Sequence, residues 1–116
     1  MLQPVVPELR DDSPEARNDL VEIKNYISQE LNSSQAAENL ILKITKKIRG
    51  LLDYPVIGAS LSSVIDIQTD SRFLVCANYL IFYRYENEVV YVIRILYGRR
   101  DYVRVLFNDL SEKEEK

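Results

Sequence analysis

The apolar residues of this chain change their period once, at Asp53-Tyr54-Pro55-Val56-Ile57-Gly58, and that change dictates a two-part architecture. Before it, Ala16, Leu20, Ile23, Ile27 and Leu31, then Ala37, Leu40, Ile41, Ile44, Ile48 and Leu51, recur at helical spacing. After it, β-branched and aromatic residues dominate, the composition of a pleated and largely buried surface. Helices first and strands second predict an α+β fold in segregated layers.

Ser13-Pro14 is a helix start, with a hydroxyl at the cap and a proline where its missing N–H costs nothing. The first stripe leaves Arg17, Asp19, Glu22 and Lys24 outside it. Asn32-Ser33-Ser34 ends this helix and caps a second, from about 34 to 52, with Lys43, Lys46 and Lys47 on its outer side. A link this short predicts an antiparallel helix hairpin. Strands are expected near 61–67, 72–77, 79–85, 89–96 and 102–107, the second and third meeting at a bend at Ala77-Asn78. Glu86-Asn87-Glu88 turns the chain between the two longest strands, which are apolar on each face and therefore central.

The expected architecture is an N-terminal antiparallel helix hairpin packed on one face of an antiparallel sheet, the other face partly open. Residues 1–12, with two prolines, read as an irregular lead-in or a short edge strand. Residues 13–108 read as a single domain, and 109–116 as an acidic tail.

Composition removes most chemistry. There is no histidine, hence no commonest general base and no Ser-His or Cys-His nucleophile. The single cysteine, Cys76, offers neither a disulfide nor a zinc cluster, and it sits in an apolar strand as a small buried residue. Three glycines form no phosphate-cradling loop. No cofactor or metal is expected. The apolar and charged fractions, 47% and 28%, are those of a soluble domain. No apolar run approaches the roughly 20 residues of a membrane helix. The first residues lack the basic flank and apolar core of a leader, so the cytoplasm is the expected compartment and no membrane partner is expected.

The net charge of −3 conceals a local excess of base: ten Lys/Arg against six Asp/Glu between positions 43 and 104. Its densest part is Arg94-Ile95-Leu96-Tyr97-Gly98-Arg99-Arg100-Asp101-Tyr102, where an apolar strand runs out. Arginine and tyrosine bring charge, stacking and hydrogen bonding to a partner. Arg84, Arg94, Tyr97, Arg99, Arg100 and Tyr102 are therefore the candidate target-binding residues. Three uses stand open. The cluster can bind an acidic partner. Alternatively, Tyr97, Arg99, Arg100 and Tyr102 can cleave RNA without histidine, by charge stabilisation and proton transfer. Or these are strand-end residues, partly paired with Asp101.

The order and spacing of several short motifs resemble the RelE/ParE superfamily, the toxin halves of bacterial type II toxin–antitoxin pairs, from Ser13 to Phe107. They are Ser13-Pro14-Glu15-Ala16 with Asp19-Leu20 and Ile23, Tyr26-Ile27, Ala36-Ala37, then Leu51, Pro55 and Gly58. Asn78-Tyr79-Leu80-Ile81-Phe82-Tyr83-Arg84 and Val92-Ile93-Arg94-Ile95-Leu96-Tyr97-Gly98-Arg99-Arg100-Asp101 complete the set.

The resemblance implies a growth-inhibiting toxin, associated with plasmid stabilisation and held by a cognate antitoxin. RelE-like members cut messenger RNA on the ribosome; ParE-like members poison DNA gyrase and need no active site of their own. Where RNA-cleaving members carry basic residues on one strand, this chain aligns Asp66, Gln68 and Val75, with Arg72 reached only through a gap. Leu106 falls near their functional tyrosine, and Arg100 alone matches a basic catalytic position well. The pattern is therefore closer to ParE, with Tyr97 replacing a histidine common in that motif. DNA gyrase is the expected target, the ribosome and its message the alternative, and a non-toxic interaction module the third reading. The segment before Ser13, with Pro7 and two acids, departs from the alternating first strand usual in the family.

Overall fold

Both helices begin where serine hydroxyls can cap them. In the computed structural model, which describes residues 8–10, 13–65 and 68–98, Ser13 Oγ accepts from the Ala16 amide at 3.3 Å and Pro14 occupies the first turn of α1 (Pro14–Glu30). Ser33 Oγ accepts from the Ala36 amide at 3.1 Å and opens α2 (Ser34–Gly50). Asn32 makes the tight link between them in the left-handed region (φ 48°), which its short polar side chain tolerates.

The strands are β1 (Glu8–Arg10), β2 (Ala59–Ser60), β3 (Arg72–Cys76), β4 (Tyr79–Glu86) and β5 (Val89–Tyr97), in the spatial order β1-β5-β4-β3-β2. β2 through β5 pair antiparallel, as expected. β1 runs parallel to β5, with Glu8 opposite Val89, so the sheet is mixed rather than wholly antiparallel. The reason is connectivity. The segment before α1 reaches the sheet at the edge of β5 that β4 leaves free, and the helix hairpin with its return through β2–β4 forms the long crossover that a parallel pair requires.

Three local expectations are corrected. The strand expected over 61–67 is a two-residue strand followed by a 3₁₀ turn at Leu61–Ser63. Serines account for this: Ser63 Oγ donates to the Ser60 carbonyl at 2.7 Å, a local bond that competes with strand pairing. Asp19, placed outside the apolar stripe by its period, is 4% exposed. Leu31, counted in the stripe, caps the end of α1 and faces solvent. The strand expected over 102–107 lies outside the described residues.

Two apolar layers result. Ile23, Ile44 and Ile48 of the hairpin pack on Ile81, Val92 and Ile95 of the sheet. On the opposite face, expected to be partly open, Leu61 from the 3₁₀ turn is buried against Phe82 and Leu96, with Phe73, Leu80 and Ile93 around them. An irregularity in the β4–β5 register at Phe82/Tyr83 breaks the alternation of β5. Val92 and Ile95 both face the helices, Ile93 and Leu96 both face away, and Ile93, beside Arg94, is the residue left without a partner on β4.

Candidate functional site

Because Arg94 sits at that irregularity, its side chain reaches α1 rather than solvent. Nε donates to Asp19 Oδ2 at 2.8 Å and Nη2 to Oδ1 at 2.9 Å, a bidentate pair. The same Oδ2 accepts the Ile95 backbone N–H at 2.9 Å. Asp19 thus takes a ladder donor of β5 beyond the reach of β1, and its burial is satisfied three times over. The bond to Asp19 raises the Arg94 pKa, with burial acting against it. Arg94 keeps 24% of its side chain exposed.

Arg84, one strand away on β4, lies over the Tyr91 ring with its guanidinium carbon 5.8 Å from the ring centre. Tyr97 leans on Tyr79, ring centres 5.6 Å apart and planes inclined at 53°, and remains 40% exposed. Of the six candidate residues, Arg84, Arg94 and Tyr97 therefore lie along the β4–β5 ladder, each already in contact with a neighbour in the fold. Arg99, Arg100 and Tyr102 lie outside the described residues. Arg72 holds the loop before β2: its Nη1 donates to the carbonyls of Val56 at 3.2 Å and Gly58 at 2.9 Å.

Beside Tyr97 the end of the sheet and α1 enclose a groove of about 470 Å³. Tyr26 and Glu22 of α1, Tyr79 and Tyr97 of the sheet, and Ile23 and Leu40 beneath them form its main walls. Tyr79 has its pKa raised, first by burial and then by the neighbouring phenols of Tyr26 and Tyr97. Glu22, Tyr26 and Tyr79 were not among the candidates read from the sequence. The spacing of Glu22 and Tyr26, one helical turn apart beside the apolar stripe, was the available signal.

Among the described residues no group of three or more His, Cys, Asp or Glu side chains converges to hold a metal ion. No helix among them is long and apolar enough to cross a membrane. What the described residues offer is arginine and tyrosine spread along the β4–β5 ladder, with Arg84 near the hairpin turn, Arg94 in the middle and Tyr97 at the opposite end.

A helix hairpin laid on a sheet of this order is an architecture found among small toxins of bacterial toxin–antitoxin systems. One solved chain, from a work described as the chromosomal ParDE TA system from P. aeruginosa, matches with a TM-score of 0.66. The match covers 79% of this chain and 96% of that one at 18% identity, a likeness of fold. A search of curated proteins gives no significant match. The family model for the ParE toxin of the type II toxin–antitoxin system parDE matches residues 13–102. The chain belongs to the ParE toxin family.

Proposed function

We propose that the chain arrests bacterial growth in the cytoplasm by acting on DNA gyrase, and that a cognate antitoxin neutralises it. The observation that carries this reading is the match to the ParE toxin model across residues 13–102, which takes in both helices, strands β2 to β5 and the Arg/Tyr segment. The state of the described arginines supports it. Arg94 is committed to Asp19 and Arg72 to loop carbonyls, so neither is free to organise a scissile phosphate. A toxin that works by occupying its target needs an adhesive edge rather than a proton-transfer constellation. Arg84, Arg94, Tyr97, Arg99, Arg100 and Tyr102 are the proposed members of that edge.

The test is inducible expression in bacteria, with primer extension on abundant messages and a reporter of the DNA damage response. Growth arrest with an induced damage response and intact messages supports gyrase as the target. Codon-phased message cleavage without DNA damage would overturn it in favour of a ribosome-dependent nuclease. Replacing Arg99 and Arg100 together by Ala should abolish arrest in a folded protein; full toxicity of that variant removes both from the functional edge.

A further inference from the structure

The groove between α1 and the sheet end has walls of two kinds. Three phenol rings, Tyr26, Tyr79 and Tyr97, surround it, with Tyr26 58% and Tyr97 40% exposed. Glu22 stands among them, taking one hydrogen bond from the Asn18 amide and making no salt bridge among the described residues. The local charge is unbalanced. Glu15, Asp19 and Glu22 all act on Arg94, the one cation of this cluster among the described residues, and Asp19 takes its bidentate hydrogen bonds. Aromatic faces and an unpaired carboxylate around an apolar floor of Ile23 and Leu40 make a receptor for a cation on an apolar stem.

We infer that this groove receives an arginine or lysine side chain from a protein partner, its stem on Ile23 and Leu40 and its charged head between the tyrosines and Glu22. The backbone geometry argues for a side chain rather than an added strand. The Ile95 N–H, which a pairing strand would use, already donates to Asp19. Charge complementarity selects the sign of the occupant: an acidic side chain would meet Glu22, which lines the groove and has no salt bridge among the described residues. The inference rests on the groove's own walls and holds whichever cellular target the toxin has.

The test is NMR titration of the full chain with a capped Leu-Arg-Leu tripeptide, and with the same peptide carrying citrulline, which keeps the shape and removes the charge. Saturable shifts of the Tyr26, Tyr79 and Tyr97 ring signals are expected, with affinity about tenfold weaker for citrulline. Glu22→Gln and Tyr26→Ala should each weaken the arginine peptide. Both positions are exposed, and unchanged circular dichroism will show that the fold survives. Equal binding of both peptides would reduce the groove to an apolar contact and overturn the inference, as would absence of saturable binding. Binding that emerges only in an Arg99→Ala/Arg100→Ala variant would also overturn it, by making the chain's own arginines the occupants.

Discussion

Asp19 and Arg94 lie 75 residues apart and form a two-pronged ion pair whose carboxylate also accepts the Ile95 backbone N–H. The pair ties α1 to β5 at the strand edge where β1 stops. Its charges are partly withdrawn from water, and each is satisfied only while the other is present.

Asp19→Ala should therefore destabilise the protein by about 3 kcal/mol, because it strands a guanidinium and a backbone amide together. Adding Arg94→Met should recover part of the loss, since the methionine stem packs without a charge to satisfy. Urea unfolding of the two single variants and the double variant measures this. Strict additivity would show that the pair is not coupled.

Tyr83 anchors the loop between α2 and β2. Its hydroxyl accepts the Gly58 N–H at 2.9 Å, in a site where a Cβ on Gly58 would come within 2.6 Å of that hydroxyl and 2.8 Å of the Phe73 carbonyl oxygen. Tyr83→Phe should cost about 1 kcal/mol through the orphaned amide. Gly58→Ala should cost about 2 kcal/mol or more from overpacking. Combining them should not rescue Gly58→Ala, because the Phe73 carbonyl is backbone and stays in place. Thermal melts of the three variants decide the order.

Tyr79 and Tyr83 both have pKa values raised above 10.0, chiefly by burial, with the Gly58 bond acting in the opposite direction at Tyr83. A phenol whose folded pKa is raised stabilises the fold below its unfolded value and loses that contribution as pH rises through the folded value. Stability should hold below pH 10 and decline above it, and the decline should be shallower in Tyr83→Phe. Melting temperatures across an alkaline series, beside phenolate absorbance, measure both. An identical decline in the variant would exclude Tyr83 as a source.

Arg84 and Arg94 should separate in function assays. The Arg84 stack on Tyr91 is worth about 0.5 kcal/mol at a partly exposed site, so Arg84→Ala should leave the melting temperature nearly unchanged. Any loss of growth arrest in that variant reports contact with the target. Arg94→Ala should lose stability first, and its phenotype should recover at lower temperature.

The helices were legible because their determinants are local: Ser13-Pro14, Ser33, and stripes that repeat every turn. The long strands were legible from their apolar runs. Asp19 was not, because its burial is decided by Arg94 and Ile95, which no window around position 19 contains. Arg94 was legible as part of a conspicuous basic segment, but its partner was not, for the same reason read from the other end. The stretch after Ser60 reads as a strand from the β-branched and aromatic composition of this half of the chain, while its serines and the burial of Leu61 favour a 3₁₀ turn. β1 was legible only as a possible edge; its parallel sense depends on which side of β5 was left vacant.

The three residues of β1 pair with the start of β5, and α1 packs on the same strand. β5, which brings Val92 and Ile95 to the surface that shields the helix hairpin, is thus the last described strand to leave the ribosome. During synthesis the two helices exist before the sheet they rest on, with their apolar stripes uncovered. Closure of the described fold is consequently a late event in its own translation, since β5 contacts β1 and α1 from the start of the chain and β4 just before it. A truncated chain ending before β5 would keep Arg84 but lack Arg94 and Tyr97, and with Arg94 the ion pair that ties α1 to the sheet.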